Sequence, residues 1–299
     1  MVSIMIPSRG EKFLQKTVEG ILANATGKFE VIVGLDGYYP DFIKESSNVK
    51  ICHQNNSIGM RNLITKMIGV AQGEFIMKLD AHCILDKGFD EVLSSDCEDN
   101  WICVPRQYSL HSDTWSRDIN KRFVDYWYLC VPNTAPEEEL GTHNRGLVGK
   151  RWFGRQGPDI DDLMSFQGSL WFATRKHVDS IGVTDPSCAH NFAYEGVELG
   201  MKTWLSGGRV VVNKKTWYAH LFKGRKHGRG YVLSKDSIVS AAKFCIDMTM
   251  NNKWPNSIHD IKWFIDKFSP VPSWENFDWD RKWGSNVQSK EQIEALRKG

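Results

Sequence analysis

Asp80 and His82 follow an apolar run and have the chemistry to hold a divalent cation between them. The run Phe75–Leu79 has the pattern of a buried parallel strand. Residues two apart in an extended backbone point to the same side, so the carboxylate and the imidazole leave the strand end together. Ligands bind at the carboxyl ends of strands in open α/β sheets. A mixed oxygen and nitrogen site suits Mn²⁺ or a similar ion; the alternative is a solvated turn with two unrelated polar side chains.

The segments that must position this pair alternate between strand and helix patterns over the first 80 residues. Apolar runs end at turn residues, and the segments between them carry apolar residues at helical spacing. The predicted strands are 2–6, 30–35, 49–52 and 75–79, and the predicted helices are 11–25 and 59–71. This order predicts an α/β fold built on a parallel sheet.

The pattern loosens further along the chain. Residues 107–160 mix aromatic and acidic residues with Pro and Gly, which predicts a loop-rich insert. The later predicted elements are strands at 102–105, 165–172 and 209–212, and helices at 86–93, 175–181, 195–205 and 236–268. We therefore expect a catalytic domain over residues 1–235 and a helical, aromatic-rich extension over 236–299.

The composition favours a cytoplasmic protein. The chain has 299 residues, 41% of them hydrophobic, which is enough for a sizeable core. No apolar run approaches the roughly 20 residues of a membrane span. The seven cysteines are scattered without a C-x-x-C pair, which argues against disulfides and zinc. Because Met1–Ile6 already has a strand pattern, we expect no signal peptide.

Charge is unevenly placed along the chain. Residues 200–299 hold 18 Lys and Arg against 9 Asp and Glu, whereas the whole chain carries a net charge of only +2. This asymmetry suggests a polyanionic partner for the C-terminal part. The alternative is that these cations neutralise a bound nucleotide diphosphate or lie on a solvated surface.

Seven short segments carry a resemblance to a known family. They are, in order, Ile4–Arg9, Gly34–Gly37, Gly59–Asn62, Leu79–Cys83, Phe166–Phe172, Glu195–Trp204 and Ala219–Phe222. In content and order they resemble the GT-A nucleotide-sugar glycosyltransferases of the family 2 type, and most of all the polypeptide N-acetylgalactosaminyltransferase branch. The resemblance runs from Val2 to about Arg225, and it implies the GT-A fold.

The resemblance also implies a donor site and a metal site. It places Asp80, His82 and His220 as ligands of Mn²⁺ or Mg²⁺, which would stabilise the departing diphosphate. The residues implied to bind a UDP-sugar are Pro7, Arg9, Asp36, Arg61, Asp80, Gly168, Lys223 and Arg225. Lys223 and Arg225 belong to a basic segment with glycines, which suits a lid over the diphosphate; the alternative is a solvated loop.

Glu195 and Glu198 are three residues apart and share a helix face, so either one is a candidate catalytic group. For Glu198 the alternative is an i,i+4 salt bridge to Lys202. Inverting members of the family usually carry their base at the position of Gly196. Because this chain has a glycine where those members carry the base, we predict a transfer that retains the anomeric configuration.

The acceptor is the least determined part of this interpretation. The C-terminal cations, interleaved with aromatic residues, favour a hydroxymethylated pyrimidine in DNA, as for a phage-encoded enzyme acting in the host cytoplasm. A surface glycan or a Ser/Thr hydroxyl of a protein is the alternative acceptor. Two other classes of function are a sugar-phosphate nucleotidyltransferase and a non-catalytic nucleic-acid-binding module.

Overall fold

The computed structural model describes residues 1–132, 147–183, 185, 193–228, 231 and 235–280. Part of the predicted insert and the last 19 residues of the predicted C-terminal extension lie outside these ranges. In the described part, no helix has both the length and the apolar character needed to cross a membrane.

The strands are β1 Val2–Ser8, β2 Phe29–Asp36, β3 Val49–Gln54, β4 Phe75–Leu79, β5 Cys83–Leu85, β6 Trp101–His111, β7 Ser116–Arg117, β8 Trp127–Cys130, β9 Val148–Arg151, β10 Ile160–Asp162, β11 Leu170–Thr174 and β12 Arg209–His220. The helices are α1 Leu14–Asn24, α2 Met60–Val70, α3 Phe89–Asp96, α4 Arg175–Ile181, α5 Glu195–Leu205, α6 Gly224–His227, α7 Lys235–Thr249 and α8 Ile261–Phe268.

One large sheet organises the chain, with the strand order β10-β12-β6-β11-β4-β1-β2-β3. The half formed by β3, β2, β1 and β4 is parallel, and α1 and α2 connect its strands. The α/β prediction is therefore confirmed for this half. Beyond β4 the sheet becomes mixed, because β11 pairs antiparallel with both β4 and β6. The carboxyl ends of β1 and β4 lie side by side near the middle of the sheet.

Two strands are longer than the sequence predicts. β6 extends to His111, into the predicted insert, and β12 extends through His220 instead of ending at 212. The polar stretch between Asn213 and Trp217 interrupts the apolar pattern, and a shift in the β6–β12 register occurs at this point. The irregularity lets the strand continue through residues that do not look like strand residues.

The C-terminal region forms two helices separated by residues 250–260, not one helical span. On α8, Phe264 and Phe268 pack against Trp204 of α5, with ring centroids 6.2 and 5.5 Å away. Asp260 caps α8 by accepting a hydrogen bond from the backbone N–H of Trp263. Trp204, Phe264 and Phe268 belong to the same hydrophobic core as the sheet, so α8 packs directly on the part of the chain that carries the sheet.

Candidate functional site

A cleft of about 860 Å³ opens where β1, β4 and β12 end and α5 begins. Pro7 and Arg9 from the end of β1 line one wall. Gly168 and Glu195 line another, and the side chains of Asp80, His82 and His220 share the same space. The cleft therefore lies at the carboxyl edge of the parallel half of the sheet, where α/β folds bind ligands.

Asp80, His82 and His220 form a cluster although the two histidines are 138 residues apart. Asp80 is fixed just after β4 by its backbone N–H, which donates to the carbonyl of Ser169 at 2.8 Å. The antiparallel pairing of β5 with β12 places His220 opposite Cys83, the residue after His82. The ligand atoms of the three side chains lie within 4.8 Å of one another.

The spacing of these atoms fits a divalent cation. The Nε2 atoms of the two histidines are 3.1 Å apart, and Asp80 Oδ2 is 3.3 Å from His220 Nε2 and 4.0 Å from His82 Nε2. Adjacent ligand atoms of an octahedral ion at about 2.1 Å are about 3 Å apart. The three side chains therefore fit one face of such a coordination shell, and the donor set of one oxygen and two nitrogens suits Mn²⁺.

The protonation states also suit metal binding. Burial lowers the pKa of His220 to about 4, so its imidazole is neutral at pH 7. Burial raises the pKa of Asp80, but Lys78, His220 and His82 outweigh that effect and the pKa lies far below its usual value. A carboxylate and a neutral imidazole are the forms that bind metal, so no proton has to be lost from these two groups first.

Lys78 is a buried cation beneath this cluster. Its ammonium lies 2.7 Å from Asp80 Oδ1, 2.6 Å from the carbonyl oxygen of Gly168 and 3.1 Å from Glu195 Oε2. Burial lowers its pKa, but the two carboxylates outweigh burial and the pKa is raised above the ordinary value. Lys78 therefore stays charged and links Asp80, a predicted metal ligand, to α5. The apolar pattern of β4 does not indicate this role of Lys78 in the sequence.

Glu195, one of the two predicted catalytic groups, borders the cleft but is only 2% exposed. Its Oε2 faces Lys78, and its Oε1 accepts a hydrogen bond of 2.8 Å from the indole N–H of Trp171. Burial raises its pKa, and the interactions with Lys78 and Trp171 only partly oppose this. Both oxygens are already paired within the protein.

Glu198, a predicted catalytic group, and Arg61, a predicted donor-binding residue, are both buried. Arg61 is 1% exposed and Glu198 is fully buried, and the guanidinium pairs with the carboxylate. Glu198 also pairs with Lys202 at 2.7 Å, which is the structural alternative that the sequence offers for this residue. The structure thus places both residues in a buried ion network that joins α2 to α5, while Met60 beside Arg61 reaches the cleft.

Asp36 has a comparable local role. Its carboxylate accepts hydrogen bonds from the Ser57 hydroxyl at 2.7 Å and from the backbone N–H groups of Ile58 and Gly59 at 2.7 and 3.2 Å. These bonds hold the end of β2 to the loop that begins α2. Asp36 is 3% exposed, and its predicted contact with the UDP-sugar stays a prediction.

The sequence interpretation missed Glu11, in the loop between β1 and α1. Its Oε2 lies 3.2 Å from His82 Nδ1 and 2.6 Å from the ammonium of Lys223. Burial raises its pKa, but His82 and Lys223 outweigh burial and lower the pKa to about 2. Glu11 therefore joins the predicted donor-binding residue Lys223 to the predicted metal ligand His82. The side chain of Arg225, also predicted to bind the donor, lies outside the described part of the structure.

Comparison with known proteins agrees with this geometry. Residues 3–161 match the family described as Glycosyl transferase family 2. The chain is 25% identical over 202 residues to polypeptide N-acetylgalactosaminyltransferase 3 of Mus musculus. The aligned region covers 62% of this chain and 29% of that protein. The chain is 23% identical over 190 residues to a probable N-acetylgalactosaminyltransferase 6 of Caenorhabditis elegans, covering 59% and 28%. The chain thus spans roughly a third of the length of such curated relatives.

Two groups of solved structures share the fold. One is GalNAc-T7 with UDP, GalNAc and Mn²⁺, which has a TM-score of 0.65 and 14% identity and covers 91% of this chain and 58% of that one. The other is residues 1–349 of S. aureus TarS in complex with UDP-GlcNAc, with a TM-score of 0.54, 12% identity and coverage of 88% and 69%. These likenesses confirm the predicted GT-A architecture.

Proposed function

The chain belongs to glycosyl transferase family 2, and on that premise we propose that it transfers a sugar from a UDP-sugar to an acceptor hydroxyl. The observation that carries the proposal is the convergence of Asp80, His82 and His220 inside the cleft at the ends of β1 and β4. The similar structures of GalNAc-T7 with UDP, GalNAc and Mn²⁺ and of TarS with UDP-GlcNAc support an N-acetylhexosamine donor.

Different residues of the cleft would bind different parts of the donor. Asp80, His82 and His220 would hold Mn²⁺ or Mg²⁺, which when bound stabilises the negative charge on the departing diphosphate. Lys223 adds a positive charge beside the same cluster. Pro7 and Arg9 offer a wall and a guanidinium at the end of β1, where we place the nucleotide. Gly168 borders the cleft where we place the sugar, and a Cβ there would lie 3.0 Å from Glu195 Oε2, so glycine lets this wall pack close to Glu195.

We propose that transfer proceeds with retention of the anomeric configuration. A Cβ at position 196 would lie 2.2 Å from the carbonyl oxygen of Phe166, so the backbone excludes an aspartate base at this position without rearrangement. The acidic residues of the described cleft lining are Glu11, Asp80 and Glu195, and each is held in an ion pair. None of them is free to deprotonate an acceptor. NMR of the first product tests this, and an inverted anomer would contradict it.

For the acceptor, the hypotheses are a DNA hydroxymethyl group and a protein or glycan hydroxyl. The acceptor named for the relatives, a polypeptide, favours the protein or glycan. If DNA is the acceptor, the logarithm of its association constant should fall linearly with the logarithm of the salt concentration, with a slope of about −0.9 for each phosphate contact. Charge reversal at Lys226 should then raise the apparent KM for DNA more than that for the donor.

Donor hydrolysis with a panel of UDP-sugars tests the core of the proposal. We expect Mn²⁺-dependent release of UDP that stops in EDTA and returns with added metal. Asp80→Ala, His82→Ala and His220→Ala should each abolish it, while circular dichroism shows an intact fold. Full activity in EDTA would exclude the metal site, and turnover of sugar phosphates with UTP in place of UDP-sugars would indicate a nucleotidyltransferase.

A further inference from the structure

Glu11 occupies an unusual place for a carboxylate, between a metal ligand and the segment that follows β12. It is 8% exposed. Its Oε1 accepts a hydrogen bond of 3.2 Å from the backbone N–H of Phe13, at the start of α1. Its other oxygen, Oε2, is left to face both His82 Nδ1 and Lys223 Nζ. One oxygen is thus fixed by the backbone, and the other contacts two groups of the site.

The contact with His82 sets which ring nitrogen carries the proton. A carboxylate 3.2 Å from Nδ1 favours a proton on that nitrogen. The lone pair then lies on Nε2, which is the atom that faces Asp80 and His220. In the described part of the chain, His82 Nδ1 is buried and forms no hydrogen bond of good geometry, and Glu11 Oε2 is a carboxylate acceptor within reach of it. Carboxylates that hold the second nitrogen of a metal-binding histidine in this way contribute to metal affinity.

The contact with Lys223 joins this histidine to the start of α6. Lys223 Nζ lies 2.6 Å from Glu11 Oε2 and its side chain is 16% exposed. Two further contacts hold α6 to the same loop and helix: Lys12 Nζ lies 3.2 Å from His227 Nδ1, and the Phe13 and His227 rings meet edge to face at 5.5 Å. The loop carrying Glu11 is therefore the docking surface for α6.

We propose that Glu11 is a positioning residue that orients His82 for the metal and couples metal binding to docking of residues 221–228. The inference rests on the proposed function, because it assumes that Asp80, His82 and His220 bind the metal. A metal at the site fixes the position of His82. The Glu11 carboxylate, which contacts His82, is then fixed as well and can hold Lys223. In the reverse direction, docked Lys223 keeps Glu11 in the position that orients His82. Such coupling is reciprocal in free energy.

Direct Mn²⁺ binding by calorimetry, without any sugar donor, tests the first half of the proposal. Glu11→Gln keeps the shape of the side chain and removes its charge, and we expect a Kd for Mn²⁺ about 10–100-fold weaker. Glu11→Asp should fall between Glu11→Gln and the unchanged protein. Glu19→Gln is the matched control, because Glu19 lies on the exposed side of α1 and contacts Gln15; its Kd should not change.

Hydrogen exchange of residues 221–228 tests the second half. In the unchanged protein, Mn²⁺ should slow exchange of the amides of His227 and Gly228, which donate to the carbonyls of Lys223 and Gly224. Glu11→Gln and Lys223→Met should each abolish this Mn²⁺ effect. Unchanged Mn²⁺ affinity and unchanged protection in Glu11→Gln would overturn the proposal and leave the proposed function standing. If the unchanged protein binds Mn²⁺ no better than Asp80→Ala, the metal site itself is wrong and both fail.

Discussion

Replacing Lys78 by methionine should destabilise the protein far more than replacing a surface lysine. Lys78 is 1% exposed and Glu195 is 2% exposed, so the contact between the Lys78 ammonium and the Glu195 carboxylate is not screened by bulk water. Methionine fills a similar volume but leaves Glu195 Oε2 buried without a cation. Breaking a buried pair by removing one partner costs about 3–5 kcal/mol. Asp80 is 26% exposed and can be solvated in part, so the loss arises mainly at Glu195.

Urea unfolding at pH 7 of three variants measures this effect. Lys78→Met should lower the free energy of unfolding by about 3–5 kcal/mol. The double variant Lys78→Met/Glu195→Gln should recover a large part, because the remaining buried group is then neutral. The control is Lys176→Met, since Lys176 and Asp99 pair at 2.7 Å with both side chains more than 70% exposed; its cost should be about 1 kcal/mol or less.

Two results would refute this reasoning. One is a Lys78→Met variant that loses no more stability than Lys176→Met, which would mean that water reaches the buried pair. The other is a double variant that is no more stable than Lys78→Met, which would place the loss at Asp80 or in packing. A pH series adds an independent check. Burial already raises the pKa of Glu195. Without Lys78, the Glu195 carboxylate should protonate more readily in the folded state. The loss of unfolding free energy in Lys78→Met should therefore become smaller as the pH falls.

Three further predictions concern stability. Burial lowers the pKa of His177 to about 4 from its unfolded value near 6.5, so the folded state binds fewer protons than the unfolded state. The free energy of unfolding should therefore fall by up to about 3 kcal/mol as the pH drops from 6.5 to 4. In urea unfolding across that pH range, His177→Gln should lose this pH dependence. Gly196→Ala should lower Tm through its clash with the Phe166 carbonyl, at a cost of about 1–3 kcal/mol, whereas Gly69→Ala in open space on α2 should be neutral or stabilising. Trp204→Ala should cost about 3–5 kcal/mol and speed hydrogen exchange in α8, and unchanged α8 protection would count against the packing of the extension on α5.

The metal cluster could be predicted from the sequence because its geometry follows from local rules. An apolar strand that ends in Asp80-Ala-His82 must project both polar side chains from the sheet edge. His220 needed the family resemblance, because nothing local to it indicates that β12 continues past the polar residues 213–216 to reach the cluster. The long β12, and its pairing with β5, is a result of tertiary structure that the pattern of residues does not encode.

The buried charges could not be predicted, because burial and pairing over long sequence distances decide their role. Glu11 reaches Lys223, 212 residues away, and Lys78 reaches Glu195, 117 residues away. The family resemblance implies that Arg61 binds the UDP-sugar, yet in the structure its guanidinium pairs with Glu198, 137 residues away. A charged residue in an isolated segment gives no information on whether it faces a ligand or another charge.

The same pairing accounts for the uneven charge along the chain. Six cations of the described part beyond residue 200 pair with acids of the first 199 residues; these cations are Lys202, Arg209, Lys215, Lys223, Lys226 and Lys267. The acidic N-terminal part and the basic C-terminal part thus meet in space. A cation held by a carboxylate releases no counterions when a phosphate approaches unless that pair is first broken, so it adds little to the binding of DNA. Among the described residues, five of these six pairs join separate elements of the fold, and Lys202 pairs within α5. We therefore infer the acceptor from the cleft and not from the net charge.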